Sequence, residues 1–351
     1  MSKIIAFCAD GTWADPGTNT NVIKLYNAIA QTPGAQIKNY DAGVGADGLP
    51  LEQAVDGAFG VGLFQKIQDG YHFFAANYEA DDELFIFGFS RGAYTARSLA
   101  GMIAICGLPT KNPDAHLVET AFSAYRCTDP NQRAALLQSL DAAYGMYDAK
   151  IKMVGVWDTV GSLGIPAIFG KVDPVAFGFL DTTLHPDVSN AYHAVAIDEK
   201  RVQFQATLWR PPFAEGRAVE QVYFSGCHGD VGGGNDPASQ DDGTLLSDIT
   251  LGWMMGHARD LGLKIDDGVW SKYSSLGAHY ALDKINETWK VIFFFWKHRE
   301  IAPDAHIGNS AAIRVAHVPG YHPPNLKYAS TGELAPGYTI VKVVGDPPPQ
   351  S

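Results

Sequence analysis

Four short apolar runs, each ended by a polar residue in or beside a glycine-containing turn, constrain the fold of this chain more than any other feature. KIIAFC leads to Asp10, ELFIFGF to Ser90, IKMVGVW to Asp158, and VEQVYFSG to His228. Runs that are apolar without alternation are buried on both faces, as strands of a parallel sheet are. QIKNY at 36–40 and FQATLW at 204–209 read as two further strands.

Helical patterns lie between these runs. NVIKLYNAIAQ follows the first strand, and KIQDGYHFFAANYE puts Ile67, Tyr71, Phe74 and Tyr78 on one face at spacings of three and four. AYTARSLAGMIAIC follows the serine turn and stops at Gly107, a residue suited to a helix C-cap. Strands alternating with helices imply an α/β fold with a doubly wound, mostly parallel sheet. Such sheets bind ligands beyond the carboxyl ends of their strands. All four polar residues fall there, which predicts a single shared site.

Segments 108–149 and 162–203 are too long for plain connections and are expected to hold helical insertions that cap the site. The region 262–330, with Trp270, Trp289 and Trp296, reads as a further cap or packing layer. One domain over 1–345 and a frayed tail over 346–351 are expected. An apolar content of 46% over 351 residues is enough for a sizeable core. VIFFFW at 291–296, flanked by Lys290 and Lys297, reads as a buried strand.

The formal net charge of −12 disfavours nucleic acid as a partner and disfavours simple adsorption to an anionic membrane. A local apolar patch remains free to touch lipid transiently. No run approaches the roughly 20 apolar residues of a membrane span, and MSKIIAFCAD has no signal-peptide cleavage site. A cytoplasmic location, or export without a cleavable signal, is therefore the expectation. Cys8, Cys106, Cys127 and Cys227 lack CxxC spacing and read as reduced thiols.

Gly88-Phe89-Ser90-Arg91-Gly92 fits G-x-S-x-G, with a strand before it and a helix after it. On such a strained turn a serine hydroxyl projects from the sheet as a nucleophile. The plain alternative is a helix N-capping serine. A serine at its ordinary pKa needs a base. His228, in SGCHGDVGGG after a strand, is the candidate, and the loop is expected to be flexible. His257, His279, His306 and His322 have weaker claims. The acid belongs between them in sequence, and Asp158 fits best. Asp173, Asp181, Asp198 and Asp230 are rivals, Asp230 also as a residue that orients the His228 loop. The N–H of Arg91, with that of Gly11 or Thr12, would hold an oxyanion, and Asp10 would brace their loop.

Asp10-Gly11-Thr12 also raises a haloacid-dehalogenase-type phosphatase, whose pattern is D-x-D-G-T. Cys8 stands where the leading aspartate would be. Tyr40-Asp41-Ala42-Gly43-Val44-Gly45 lacks the spacing of a Rossmann or P-loop fingerprint and reads as a turn at the site rim.

DGTW, YDAGVG, GFSRGAYTAR, VGVWDTVGSLG, CHGDVGGG and HIGNSAAIRVAHVPGYHPPNL occur here in that order, over about positions 3 to 328. In this the chain resembles DUF2235-type α/β-hydrolases, which include the Tle1-like phospholipase effectors of bacterial type VI secretion. The resemblance implies an α/β-hydrolase fold and a Ser-Asp-His triad, at Ser90, Asp158 and His228 on the matching positions. It also implies ester hydrolysis, with phospholipid the substrate of some effector members. The late segment departs from the family pattern, reading HIGNSAAIR in place of H-x-S-V-x-x-R.

The leading expectation is thus a serine carboxylic-ester hydrolase working through an acyl-enzyme, on a small-molecule or lipid ester, with no metal or organic cofactor. A non-catalytic binding or effector module on a hydrolase scaffold is the second reading, because a fold alone confers no activity. A metal phosphohydrolase built on Asp10 and Asp158 is the third.

Overall fold

The computed structural model describes residues 2–11, 14, 17–43, 58–160, 183–239, 243–287 and 296–346. In chain order the elements begin β1 (Ile4–Ala9), α1 (Asn21–Ala28), β2 (Gln36–Asp41), α2 (Ala58–Asn77), β3 (Glu83–Phe89) and α3 (Arg91–Cys106). A two-stranded antiparallel ribbon, β4 (Leu108–Pro109) and β5 (Met146–Tyr147), encloses α4 (Ala115–Arg126) and α5 (Pro130–Tyr144). Then follow β6 (Ile151–Trp157), β7 (Asn190–Ala196), β8 (Ala218–Phe224), α6 (His228–Gly232), α7 (Leu246–Asp260) and α8 (Asp267–Tyr273). The described residues end in β9 (His306–Gly308), α9 (Asn309–His317) and β10 (Thr339–Val341).

Eight of the described strands form one sheet in the order β10-β9-β8-β7-β6-β3-β1-β2, and the pairings between these neighbours are all parallel. The apolar runs are strands because both of their faces are covered. Ile5, Phe7 and Ala9 of β1 enter a core shared with α2, α3 and α4, while Ala6 and Cys8 enter the core beneath α1 and α7. In β3, Leu84 and Ile86 face the first core, and Phe85, Phe87 and Phe89 the second. A polar residue in mid-strand would meet a packed layer on either side, so β1 and the interior of β3 carry none, while Lys152 of β6 and Glu220 and Gln221 of β8 stand where their strands are only partly buried.

The helices dock by the faces their spacing predicts. Ile67, Tyr71 and Phe74 of α2 are fully buried. Tyr78 lies just beyond the helix and is only partly buried. Gly107 ends α3 with φ 74° and donates its N–H to the Ile103 carbonyl, as a C-capping glycine does. Asp114 and Asp129 cap α4 and α5 by accepting the N–H of Leu117 and Gln132. Leu117, Val118, Ala121 and Phe122 of α4 pack into the core that α2 and α3 form.

Two strand assignments differ from the sequence reading. FQATLW is not a strand: Val202–Phe204 is a single 3₁₀ turn, and Ala206 makes only an isolated bridge to Val160. The backbone N–H and C=O of Trp209 bond the side-chain amide of Gln221 instead of a neighbouring strand. Conversely, NAYHAVA, within a segment expected to be helical, is the strand β7 between β6 and β8. Its alanines favour helix locally, and the ladders on both sides override that preference. The rest of the expected 162–203 insertion, up to 182, lies outside the described residues, as do 291–295 of VIFFFW.

Phe74 is fully buried and its ring lies 6.1 Å from that of Phe7. Phe74→Ala should lower stability by about 3–5 kcal/mol, read as a lower urea midpoint at an unchanged slope.

Candidate active site

Because the strands run parallel, their carboxyl ends share one edge. Asp10, Ser90 and Asp158 follow β1, β3 and β6 directly, and His228 follows β8 at the start of α6. Ser90 has φ 58° and ψ −121°, a conformation that side-chain-bearing residues seldom adopt. The turn closes so tightly that a Cβ on Gly88 would lie 2.3 Å from the Gly92 carbonyl oxygen. On Gly92 it would lie 2.2 Å from the Ala9 carbonyl oxygen. Glycine is required at both places by contact with backbone, which cannot move aside.

The Ser90 side chain makes no capping bond to α3. Its Oγ lies 2.8 Å from His228 Nε2, and His228 Nδ1 lies 2.6 Å from Asp158 Oδ2. An ionised carboxylate only accepts, so Nδ1 carries the proton and Nε2 accepts from the serine hydroxyl. Burial lowers the imidazole pKa, against the opposing pull of Asp158. A neutral ring is thereby favoured.

The imidazole is held by packing as well as by hydrogen bonds. Phe89 lies 4.6 Å from it and Phe204 meets it edge-on at 4.9 Å. The expected flexible loop is in fact the short helix α6. Asp230 stiffens its start by accepting the Cys227 N–H at 2.9 Å, and it also bonds Asn235 and Asn286. Burial raises the Asp230 carboxyl to about 6. The His228 N–H donates to Glu199 Oε2 at 3.2 Å, and Arg201 clamps that carboxylate through Nε and Nη2.

Asp158 is fully buried, with φ 39°. Burial alone would raise its pKa, but Arg299 and His228 together hold it well below the ordinary carboxylate range. Arg299 grips it at two points, Nη1 to Oδ1 at 2.5 Å and Nη2 to Oδ2 at 2.9 Å. The Ala196 N–H adds a third donor to Oδ1 at 2.9 Å.

Asp10 accepts from Thr20 Oγ1 at 2.5 Å, from Tyr40 Oη at 2.9 Å and from the Gly11 N–H at 2.7 Å. It braces the first turn. A Cβ on Gly11 would come 3.4 Å from Ser90 Cβ, so that turn lies against the serine. The Gly11 N–H is already held by the Asp10 carboxylate, which departs from its expected place as an oxyanion donor. Thr12 lies outside the described residues. Arg91 opens α3 immediately after Ser90, at the end where helix N–H groups point outward.

The rival residues are engaged elsewhere. Asp198 accepts from the Gly226 N–H and the Tyr321 hydroxyl. Asp173 and Asp181 lie outside the described residues. His257 stacks on Tyr192 at 3.9 Å, His279 and His322 lie beside Tyr280 and Tyr328, and His306 begins β9. Asp10 and Asp158, the pair of the metal phosphohydrolase reading, each serve a separate network. Arg299, Glu199 and Arg201 have no sequence signal: Arg299 stands in the charged stretch WKHRE, and Glu199 follows a strand the pattern does not reveal.

A protein-family model described as type VI secretion (T6SS) phospholipase effector Tle1-like, catalytic domain, matches residues 3–257. The chain belongs to this family. An uncharacterized protein of Saccharomyces cerevisiae is 30% identical over 233 residues, 60% of this chain and 33% of its own length. A crystal structure of an uncharacterized Pseudomonas aeruginosa protein aligns with TM-score 0.48 and 19% identity, over 77% of this chain and 47% of its own. The Tle1 effector bound to the VgrG spike of the type VI secretion system aligns with TM-score 0.39 and 17% identity, over 69% and 52%. The chain thus spans a third to a half of the length of these Tle1-like and other relatives.

Gly92→Ala should cost at least about 1–3 kcal/mol through overpacking. Gly101→Ala, on the same helix but with its nearest neighbour at 3.4 Å, should be neutral or stabilising. Denaturant unfolding of the two variants checks the contrast.

Proposed function

We propose that this chain is a serine hydrolase that cleaves a carboxylic ester of a lipid, with phospholipid the leading substrate class. The observation that carries the reading is the unbroken contact from Ser90 Oγ to His228 Nε2 and from His228 Nδ1 to Asp158, at 2.8 and 2.6 Å. Membership of a phospholipase-effector catalytic family supports the lipid part of it.

In this mechanism Ser90 Oγ attacks the ester carbonyl carbon while His228 Nε2 takes the hydroxyl proton. The oxyanion forms at the start of α3, where the Arg91 N–H and the helix N-terminus favour negative charge. Collapse breaks the bond to the alcohol, which leaves with the proton returned by His228. Water, deprotonated by the same imidazole, then attacks the acyl-enzyme and releases the acid and free Ser90. Asp158 keeps the proton on Nδ1 throughout and stabilises the imidazolium in each transition state.

A binding module on a hydrolase scaffold would not need a strained serine hydrogen-bonded to a buried neutral histidine. The two readings separate on one variant. Ser90→Ala should reduce turnover of a p-nitrophenyl ester and of phosphatidylcholine vesicles by at least about 10³-fold, with an unchanged circular dichroism spectrum. Activity equal to that of the wild type in that variant would remove Ser90 from the chemistry. A matched series of short-chain esters and vesicles ranks small-ester against lipid hydrolysis.

A further inference from the structure

We propose that Arg299 is a positioning residue for this hydrolytic set: its two-point grip fixes the Asp158 carboxylate and neutralises it, and so keeps His228 in the unprotonated state that accepts from Ser90. The inference rests on the hydrolase reading and adds to it a residue outside the family match of 3–257.

The geometry comes first. A planar guanidinium facing a carboxylate through two N–H bonds fixes its rotation as well as its distance. Arg299 is itself fixed, because Nη1 also donates to the Ala196 carbonyl at 2.8 Å and Nη2 to the Phe204 carbonyl. Those carbonyls belong to the end of β7 and to the segment whose phenyl ring packs on His228. With Oδ1 held by Arg299 and by the Ala196 N–H, Oδ2 is left facing the imidazole. One side chain therefore ties the acid, the wall of the base and the strand between them.

Charge gives the second half. Arg299 and Asp158 are 3% and 0% exposed, so water screens the pair little. Around His228 stand Asp158 with Arg299 on the Nδ1 side, and Glu199 with Arg201 beside its backbone N–H. Tyr223 and the buried neutral His193 lie near the Asp158–Arg299 pair. Asp158 and Glu199, the carboxylates that contact the base, thus each have an arginine, whereas Asp230, two residues on, is held by the Cys227 N–H, Asn235 and Asn286. Without Arg299, Asp158 would be a buried anion facing the imidazole alone, and protonating His228 would become easier. A protonated His228 cannot accept from Ser90, so the acid limb of activity would move to higher pH.

The test measures the rate of Ser90 labelling by a fluorophosphonate between about pH 5 and 9, in wild type, Arg299→Gln and Arg299→Lys, with folding checked by thermal melts. Arg299→Gln should move the acid limb up by about one pH unit, slowing labelling more on the acid side than at pH 8, by up to about tenfold below the limb. Arg299→Lys keeps the charge but loses the two-point grip, so it should label more slowly with the limb near its wild-type position. An unmoved limb in folded Arg299→Gln overturns the inference, as does an equal shift in both variants. Should Arg299→Gln fail to fold, a Lys variant labelling at the wild-type rate overturns it. Wild-type protein that takes no label overturns the hydrolase reading as well, whereas a labelled wild type with an unmoved limb overturns this inference alone.

Discussion

At positions 88 and 92 there is no room for one methyl group, and the arrangement of the site follows from that. The Gly92 backbone rests on the carbonyls of Ala9 and Asp10, at distances that leave a Cβ 2.2 and 2.4 Å away. This contact brings the start of α3 against the end of β1. Ser90 is forced into its left-handed conformation on a turn that must leave β3 and enter α3 at once. The strain is kept because the turn is anchored on both sides, with the Ser90 N–H held by the Trp157 carbonyl of β6. The turn after β1 is drawn beside the serine by the same packing.

A rigid serine turn is of use only if its partners are equally fixed, and charge does much of that work. Asp158, Glu199 and Asp230 are buried carboxylates within or around the site. Asp158 and Glu199 each face an arginine, which holds them ionised despite burial. Asp230 has amide and backbone donors in place of a cation, and its carboxyl is correspondingly raised to about 6. Buried charges left unpaired are costly, so each carboxylate is tied to a specific donor set. Those donors come from segments far apart in sequence, and that is what draws β7, β8 and the chain near 299 around one imidazole.

Much of this was legible in the residues. β1, β3, β6 and β8 stand out because strands covered on both faces are apolar along most of their length, and the glycines around Ser90 mark a turn that tolerates no side chain. The joint placement of Ser90, Asp158 and His228 follows once those strands are taken as parallel. β7 was hidden because its alanines carry no strand preference, and FQATLW misled because its apolar residues serve a connection satisfied by the Gln221 side chain. The Gly11 N–H, one of two alternative oxyanion donors with that of Thr12, donates to the carboxylate of Asp10, its own neighbour.

By itself, then, the amino-acid order determined the strands β1, β2, β3, β6 and β8, which turn is strained, and which alcohol, imidazole and carboxyl group stand at strand ends. These are local properties, set by periodicity, by side-chain volume and by the freedom of glycine. Tertiary structure alone decided that Arg299 meets Asp158 across 141 positions and that Glu199 meets the backbone of His228. An arginine in a charged stretch looks the same whether solvent or a buried carboxylate awaits it. Only the folded sheet specifies which.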